Sequence, residues 1–381
     1  MPVYLDMAAT APVLPNVANV VMTYMLEEYG NPGSRSHEYG NRAKKAVQLA
    51  RERVGASVGA EPAEVVFTSG ATESNNLALL GLAPHGELTG RQHIISCVTE
   101  HKAVLEPLQH LSARGFEVEL LEPGASGRLD AGQVLDRVRD DTLLVSLMHV
   151  NNETGVIQPV HELAHALVDT PTLLHVDAAQ GFGKLPATLT APIDLMSISG
   201  HKIGAPKGIG ALIARRRNLR KPPLTPLMYG GGQERKLRPG TLPVALIMGL
   251  AEATAYFDKH HGTWAAESIA TRRELLAAFQ PLGAALNGDP VHCAPHILNL
   301  SFPGADAEAL LLALKDLVAL STGSACTSAS YTPSHVLAGM GLAPGRIEGA
   351  IRLSWWGRPD VEVSAMRDAI AGLVSPSLQH N

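Results

Sequence analysis

Apolar positions along this chain recur in two rhythms. Around residues 17–29 and again over 39–55 they return every three or four residues, the period of a helix with one buried face. From there to residue 214 short apolar runs of strand length take over, at 64–68, 93–98, 116–121, 143–149, 173–177, 195–199 and 209–214. Stretches at helical spacing, such as 103–113 and 160–168, lie between several of them. Strand and helix in alternation predict an α/β fold, a mostly parallel seven-stranded sheet covered by helices on both faces.

Past residue 250 the rhythm changes. Helical spacing over 251–256 and 268–279 leads into His296-Ile297-Leu298-Asn299-Leu300-Ser301-Phe302, then into a helix-like 307–315 and a second short strand at 317–320. This predicts a smaller α+β domain. The division expected is a large domain over 13–250 and a small one built from 1–12 and 251–381. The Gly/Pro-rich stretch 222–239, with Gly230-Gly231-Gly232, reads as a loop near the junction. No internal repeat is evident.

Composition narrows the classes. With 45% apolar residues over 381 positions the chain can bury a large core. Its 31 Lys+Arg against 36 Asp+Glu leave a net charge of −5, so no basic surplus points to direct nucleic-acid binding. Apolar runs stay far short of a membrane span, and the start, Met1-Pro2-Val3-Tyr4-Leu5-Asp6, carries no secretory signal. Three cysteines without a Cys-x-x-Cys pair argue against a disulfide framework and against a metal site. A cytoplasmic enzyme without membrane attachment is the expectation.

Parallel sheets bind ligands beyond the carboxyl ends of their strands. The chemically distinctive residues fall there: Thr68-Ser69-Gly70, Glu100-His101, Asn151-Asn152, Asp177 and His201-Lys202. A lysine at one strand end and a carboxylate at a neighbouring one suit pyridoxal 5′-phosphate. The amine closes on the cofactor aldehyde, and the carboxylate keeps the ring nitrogen protonated. Ser69-Gly70-Ala71-Thr72 opens a helix with small residues, leaving backbone N–H groups for a phosphate, although a plain helix cap has the same appearance. His101 could stack on the ring and move protons, or simply cap a helix. Asn152 and Gln180 could bond the ring's phenolic oxygen or cap loops.

Cys326 lies in Ser321-Thr322-Gly323-Ser324-Ala325-Cys326-Thr327-Ser328, a small and polar run without apolar periodicity. It reads as an exposed nucleophilic thiol, whereas Cys97 and Cys293 read as structural. Arg352 in a strand-like stretch could hold a carboxylate through paired hydrogen bonds, or form a surface ion pair.

These residues sit in longer motifs: Phe67-Thr68-Ser69-Gly70-Ala71-Thr72-Glu73-Ser74-Asn75-Asn76, His149-Val150-Asn151-Asn152-Glu153-Thr154-Gly155, His175-Val176-Asp177-Ala178-Ala179-Gln180, Ser199-Gly200-His201-Lys202 and Arg238-Pro239-Gly240-Thr241-Leu242-Pro243. Nearly end to end, the chain resembles the cysteine desulfurases, fold-type I pyridoxal-phosphate enzymes of the class V aminotransferase group. The cysteine run is similar to the first of that family's two groups. The resemblance implies that Lys202 binds the cofactor covalently and that Cys326 carries a persulfide. It places Ala71, Thr72, Ser199 and His201 on the phosphate, with Thr241 reaching it from the partner subunit of a homodimer. Asn152, Asp177 and Gln180 would address the ring, His101 would stack on it and transfer protons, and Arg352 with Asn152 would hold the substrate. The implied reaction takes L-cysteine to L-alanine and passes sulfur to an acceptor or iron–sulfur protein.

Within the family the likeness is to desulfurases of bacterial DNA phosphorothioation systems. It rests on Gly33-Ser34-Arg35, His37-Glu38-Tyr39-Gly40, the run 230–239 and the span 200–208. A loop one residue longer at 31–40, and an end soon after Trp355-Trp356-Gly357, agree with that branch. A general sulfur donor for iron–sulfur clusters or tRNA thiolation remains the alternative, as does another pyridoxal-phosphate enzyme such as a selenocysteine lyase.

Overall fold

The computed structural model describes residues 1–302, 304–322 and 333–374. Its twelve strands are β1 (Val3–Tyr4), β2 (Val65–Thr68), β3 (His93–Cys97), β4 (Glu117–Leu121), β5 (Thr142–Met148), β6 (Leu173–Asp177), β7 (Leu195–Ser199), β8 (Gly210–Ala214), β9 (Ala285–Leu286), β10 (Ile297–Ser301), β11 (Val318–Ala319) and β12 (Ala350–Ser354). Seven of them form one sheet in the order β2-β8-β7-β6-β5-β3-β4. β8 alone runs against its neighbours, and the other pairings in the sheet are parallel.

Consecutive side chains in these strands point to opposite faces, and here each face is apolar. Phe67, Ile95, Val145, Met196 and Ile213 join one buried core. Their chain neighbours Val66, Ile94, Leu144, Leu195 and Leu212 join the core on the other side. The inner strands are therefore mostly apolar in sequence because helices cover both faces, whereas the edge strand β4 is partly exposed and carries Glu117 and Glu119. The helix Ala71–Thr89 packs on one side, and Glu38–Ala56 on the other.

A third core gathers Leu5, Leu275, Phe279, Leu298, Leu300, Phe302, Leu353 and Trp355 around the antiparallel sheet β12-β10-β9. One continuous helix, Val244–Phe279, sends Leu250 and Phe257 into the first core and Leu275 and Phe279 into the third. A division at residue 250 would fall inside that helix, and we keep the two-domain boundary as a proposal. The run at 317–320 does form a strand, but β11 pairs in parallel with β1 rather than with β10. That pairing anchors the N-terminal segment, whose Ala8 and Ala9 then lie over the carboxyl ends of the large sheet's strands, beside Lys202. No helix among the described residues is long and apolar enough to cross a membrane.

Candidate active site

Strand register brings the expected residues together. Met148 lies opposite Asp177, and Asp177 opposite Ser197. Gly210 lies between Ser199 on one side and Thr68 on the other. The ends of β2, β5, β6 and β7 therefore share one edge of the sheet, and a cavity of about 510 Å³ opens there. Ala71, Thr72, His101, Asn152, Asp177, Gln180, Ser199, His201, Lys202 and Arg352 all line it. Thr241 does not. It borders a separate cavity of about 340 Å³ with Asn31, Gly33, Gln233 and Glu234. Cys326 lies outside the described residues.

One end of the cavity is built for an anion. Gly70 caps the helix Ala71–Thr89 at φ +155°, a conformation that residues with a side chain rarely adopt, and no side chain among the described residues caps that helix. Its first N–H groups are left to a ligand, with the helix dipole assisting. A Cβ on Gly210 would sit 2.6 Å from Gly70 Cα, so glycine lets β8 pass against this turn. Glu73 fastens the turn from outside. Its Oε2 accepts from Ser69 N at 2.7 Å, and its Oε1 accepts from Arg238 Nε at 2.9 Å. Burial pushes the Glu73 carboxyl up, but the bonds from Arg238 and Ser69 outweigh it and hold the group below the usual range. His201 bonds Thr10 Oγ1 through Nδ1 at 3.0 Å. Burial, and then the charges of Lys202, Lys207 and Lys184, push its pKa down to about 4.

At the other end, Asp177 Oδ2 accepts from Asn75 Nδ2 at 2.7 Å and Oδ1 accepts from Ala179 N at 3.0 Å. Beneath it His175 is fixed between Ser146 at 2.8 Å and Ser197 at 3.1 Å, and burial pushes its pKa down to about 4. Lys202 Nζ donates to the carbonyls of Ala8 at 2.6 Å and Ala9 at 2.7 Å, so the N-terminal segment fixes the amine over the cavity. His101 caps the helix Lys102–Ala113, its Nδ1 accepting from Ala103 N at 3.1 Å. That bond leaves Nε2 to carry the proton of the neutral ring. Burial lowers the His101 pKa, with Asp177 pulling it back up. One side chain thus both caps this helix and lines the cavity.

Arg352 is buried rather than on the surface. Its Nη1 donates to Asn152 O at 2.9 Å and its Nη2 to Asp6 Oδ1 at 2.7 Å, while Nε has no partner among the described residues. Gln180 Nε2 donates to Ala8 O at 2.8 Å, leaving Oε1 buried and without a partner among the described residues. Cys97 is buried, and desolvation pushes its thiol up to about 11, so it is a poor nucleophile at neutral pH. Burial also raises the half-buried Cys293.

The donor set fits pyridoxal phosphate: an uncapped helix start with Gly70, a carboxylate held on both oxygens, a lysine amine and an imidazole, all on one cavity. The sequence placed Glu100 among the residues at the strand ends and Asn75 within a motif, but gave neither a role. Asn75 stands fully buried inside a helix, where asparagine is a poor helix former unless its side chain has a partner. Glu100 Oε1 accepts from Met148 N at 2.6 Å, and complete burial raises its carboxyl well above the usual range. Its position beside His101 was the only signal.

Comparison with known proteins agrees with this geometry. The profile of the class-V aminotransferases matches residues 3–356. The cysteine desulfurase IscS of Vibrio campbellii is 46% identical over 359 residues, 93% of this chain and 88% of that protein. The crystal structure of DndA from Streptomyces lividans superposes with a TM-score of 0.83 at 59% identity, covering 93% of this chain and 99% of that one. A structure of SspA in complex with cysteine matches at a TM-score of 0.82 and 35% identity, covering 93% of this chain and 99% of that one. The chain belongs to the cysteine desulfurases of the class-V aminotransferase family, whose cofactor is pyridoxal phosphate.

Proposed function

We propose that this desulfurase takes sulfur from L-cysteine onto Cys326, releases L-alanine, and supplies the sulfur to a protein of a DNA phosphorothioation system. The observation that carries the route is the 59% identity to DndA across 93% of the chain, against 46% to IscS. Bound in the cavity, pyridoxal phosphate supplies an electron-accepting ring that lets the Cα proton of an amino acid leave.

The chain's own residues do the rest in this reading. The N–H groups of Ala71 and Thr72, with Ser199 and His201, would hold the phosphate. Asp177, oriented by Asn75 and Ala179 N, would face the ring nitrogen. Asn152 and Gln180 would bond the ring's oxygen, a half-turn of the Gln180 amide presenting its N–H. Lys202 Nζ would carry the Cα proton, and His101 Nε2 a second one. Arg352 would receive the substrate carboxylate in exchange for one of its present partners. Cys326 Sγ, as thiolate, then bonds the substrate sulfur while the carbon–sulfur bond breaks, and the carbon takes a proton to become alanine.

A homodimer is part of the proposal. Met22, Met25, Leu26, Tyr29 and Tyr39 are exposed on the first two helices and the loop between them. That loop also lines the Thr241 cavity through Asn31 and Gly33. An apolar face of this kind marks an interface, and pairing there would let Thr241 serve a second copy.

Incubation with pyridoxal phosphate and L-cysteine should give alanine and a mass gain of one sulfur on the Cys326 peptide. Deleting the gene should abolish DNA phosphorothioation in its host. Normal phosphorothioation with impaired iron–sulfur enzymes would favour the general sulfur donor.

A further inference from the structure

This inference rests on the proposed role of Cys326, whose thiol can meet the substrate only if the roots of its segment are held. Two described residues flank its segment, Ser321 before it and Ser334 after it. Both are tied to the loop that carries Asn152. On the first side, Arg352 N donates to Ser321 O at 2.6 Å and Ser321 N to Arg352 O at 3.3 Å, while the Arg352 guanidinium donates to Asn152 O. On the second, Ser334 Oγ donates to Glu153 Oε2 at 2.5 Å. Glu153 is the residue after Asn152, so the path 321–352–152–153–334 closes from one root of the segment to the other.

The connection is stiff. Glu153 is buried, and its backbone N–H donates to Asn151 Oδ1 at 2.9 Å while its carbonyl accepts from Asn299 Nδ2 at 3.2 Å. Asn151 is itself held by its Nδ2 bond to Thr99 O at 3.0 Å. On the other partner, Ser334 caps the helix His335–Gly339, its oxygen accepting from Leu337 N at 3.1 Å. His335 Nε2 then donates to the carbonyl of Glu100, next to His101, at 2.9 Å. A carboxylate buried here for fold alone would be a poor choice, because an apolar side chain of its size avoids the desolvation cost.

We infer that Glu153 is a positioning residue for sulfur transfer: through Ser334 it holds the C-terminal root of the Cys326 segment on the loop that carries Asn152 beside Arg352. Glu153 itself does not line the cavity. Its effect falls on the step in which the Cys326 sulfur bonds the substrate sulfur and the substrate's carbon–sulfur bond breaks. Binding of L-cysteine, which precedes that step, does not depend on it. Burial raises the Glu153 carboxyl, with Ser334, His335 and Arg352 opposing. Glutamine is of nearly equal size, and its amide oxygen can still accept from Ser334.

The test is single-turnover reaction of the cofactor-loaded enzyme with L-cysteine. It follows the spectral change on substrate binding and, by mass, the persulfide on the Cys326 peptide. Glu153→Ala, Ser334→Ala and the double variant should each form persulfide about tenfold or more slowly, the loss of one buried hydrogen bond. The double variant should be no slower than either single one. Glu153→Gln should recover most of the rate, and cysteine binding should stay within about twofold of wild type throughout. A wild-type persulfide rate in Glu153→Ala overturns the inference. So does a parallel loss of cysteine binding and persulfide in both single variants, or multiplication of the two effects in the double variant. If the wild-type enzyme makes alanine with no persulfide on Cys326, the underlying reading fails, and this inference with it.

Discussion

Asn75 and Asp177, 102 positions apart in the chain, meet through a 2.7 Å hydrogen bond in the floor of the cavity. The asparagine comes from the second turn of the helix whose first turn faces the anion end of the same cavity. In the proposed function one helix would therefore serve both ends of the cofactor, with N–H groups at its start and an orienting amide a turn later. Asn75→Ala should leave Asp177 with a single backbone donor. Loss of a hydrogen bond to a charged group corresponds to about 1.5–3 kcal/mol, or about 10- to 100-fold in cofactor affinity. Titration of the apoenzyme with pyridoxal phosphate, followed by absorbance, measures it. Unchanged affinity would contradict the assignment of Asp177 to the ring.

Lys202→Ala should remove the visible absorbance of covalently bound cofactor and all alanine formation. Alanine release near the wild-type rate in that variant would displace Lys202 from the mechanism.

Cys326→Ser should bind cofactor and respond spectrally to L-cysteine as the wild type does, yet accumulate no persulfide. A hydroxyl is a poor nucleophile toward sulfur at neutral pH. Finding the extra sulfur on Cys97 or Cys293 in the wild-type enzyme would move the nucleophile, against the high pKa of the buried Cys97 thiol.

Stability should fall as pH drops from 7 toward 4. His149 and His175 are fully buried and their pKa values are pushed down to about 4, while an unfolded chain protonates them near 6.5. Between those values the unfolded state binds protons that the native state does not, so each histidine removes up to about 3 kcal/mol by pH 4. Urea unfolding at pH 7 and pH 5 measures the slope. His175→Gln, though less stable at pH 7, should lose less than the wild type over that interval, and an equal loss would refute the assignment.

Breaking the Arg51–Glu234 pair should be costly. Arg51 donates to both Glu234 oxygens, and Glu234 Oε2 also accepts from Phe67 N at 2.8 Å. These bonds hold a turn in which Glu234, Arg235 and Lys236 all have positive φ, a strained conformation that persists only where its surroundings impose it. Arg51→Ala would leave a buried carboxylate uncompensated, at about 3–5 kcal/mol. Denaturant unfolding reads this loss, and a change below about 1 kcal/mol would show that water replaces the arginine.

Much of this was legible in the residues alone. The inner strands of the large sheet could be read from their largely apolar runs, because a strand covered on both faces buries nearly every side chain, while edge strand β4 showed as an alternation of glutamates with Val118 and Leu120. The strand ends then located Lys202, Asp177, His101 and Asn152 on one edge, since the ligand side of a parallel sheet follows from chain direction. The reversed direction of β8 and the pairing of β11 with β1 were not legible. Both are contacts between segments far apart in the chain, and a two-residue strand carries no periodicity of its own. Asn75 reached Asp177, Ser334 reached Glu153 and Arg352 reached Asp6 only through packing. A polar residue's type announces that it needs a partner when buried, but which partner it meets depends on how the helices and loops settle around the sheet. Local chemistry and hydrophobic pattern thus determined the elements and the reactive groups, and the tertiary structure alone decided their orientation, burial and pKa.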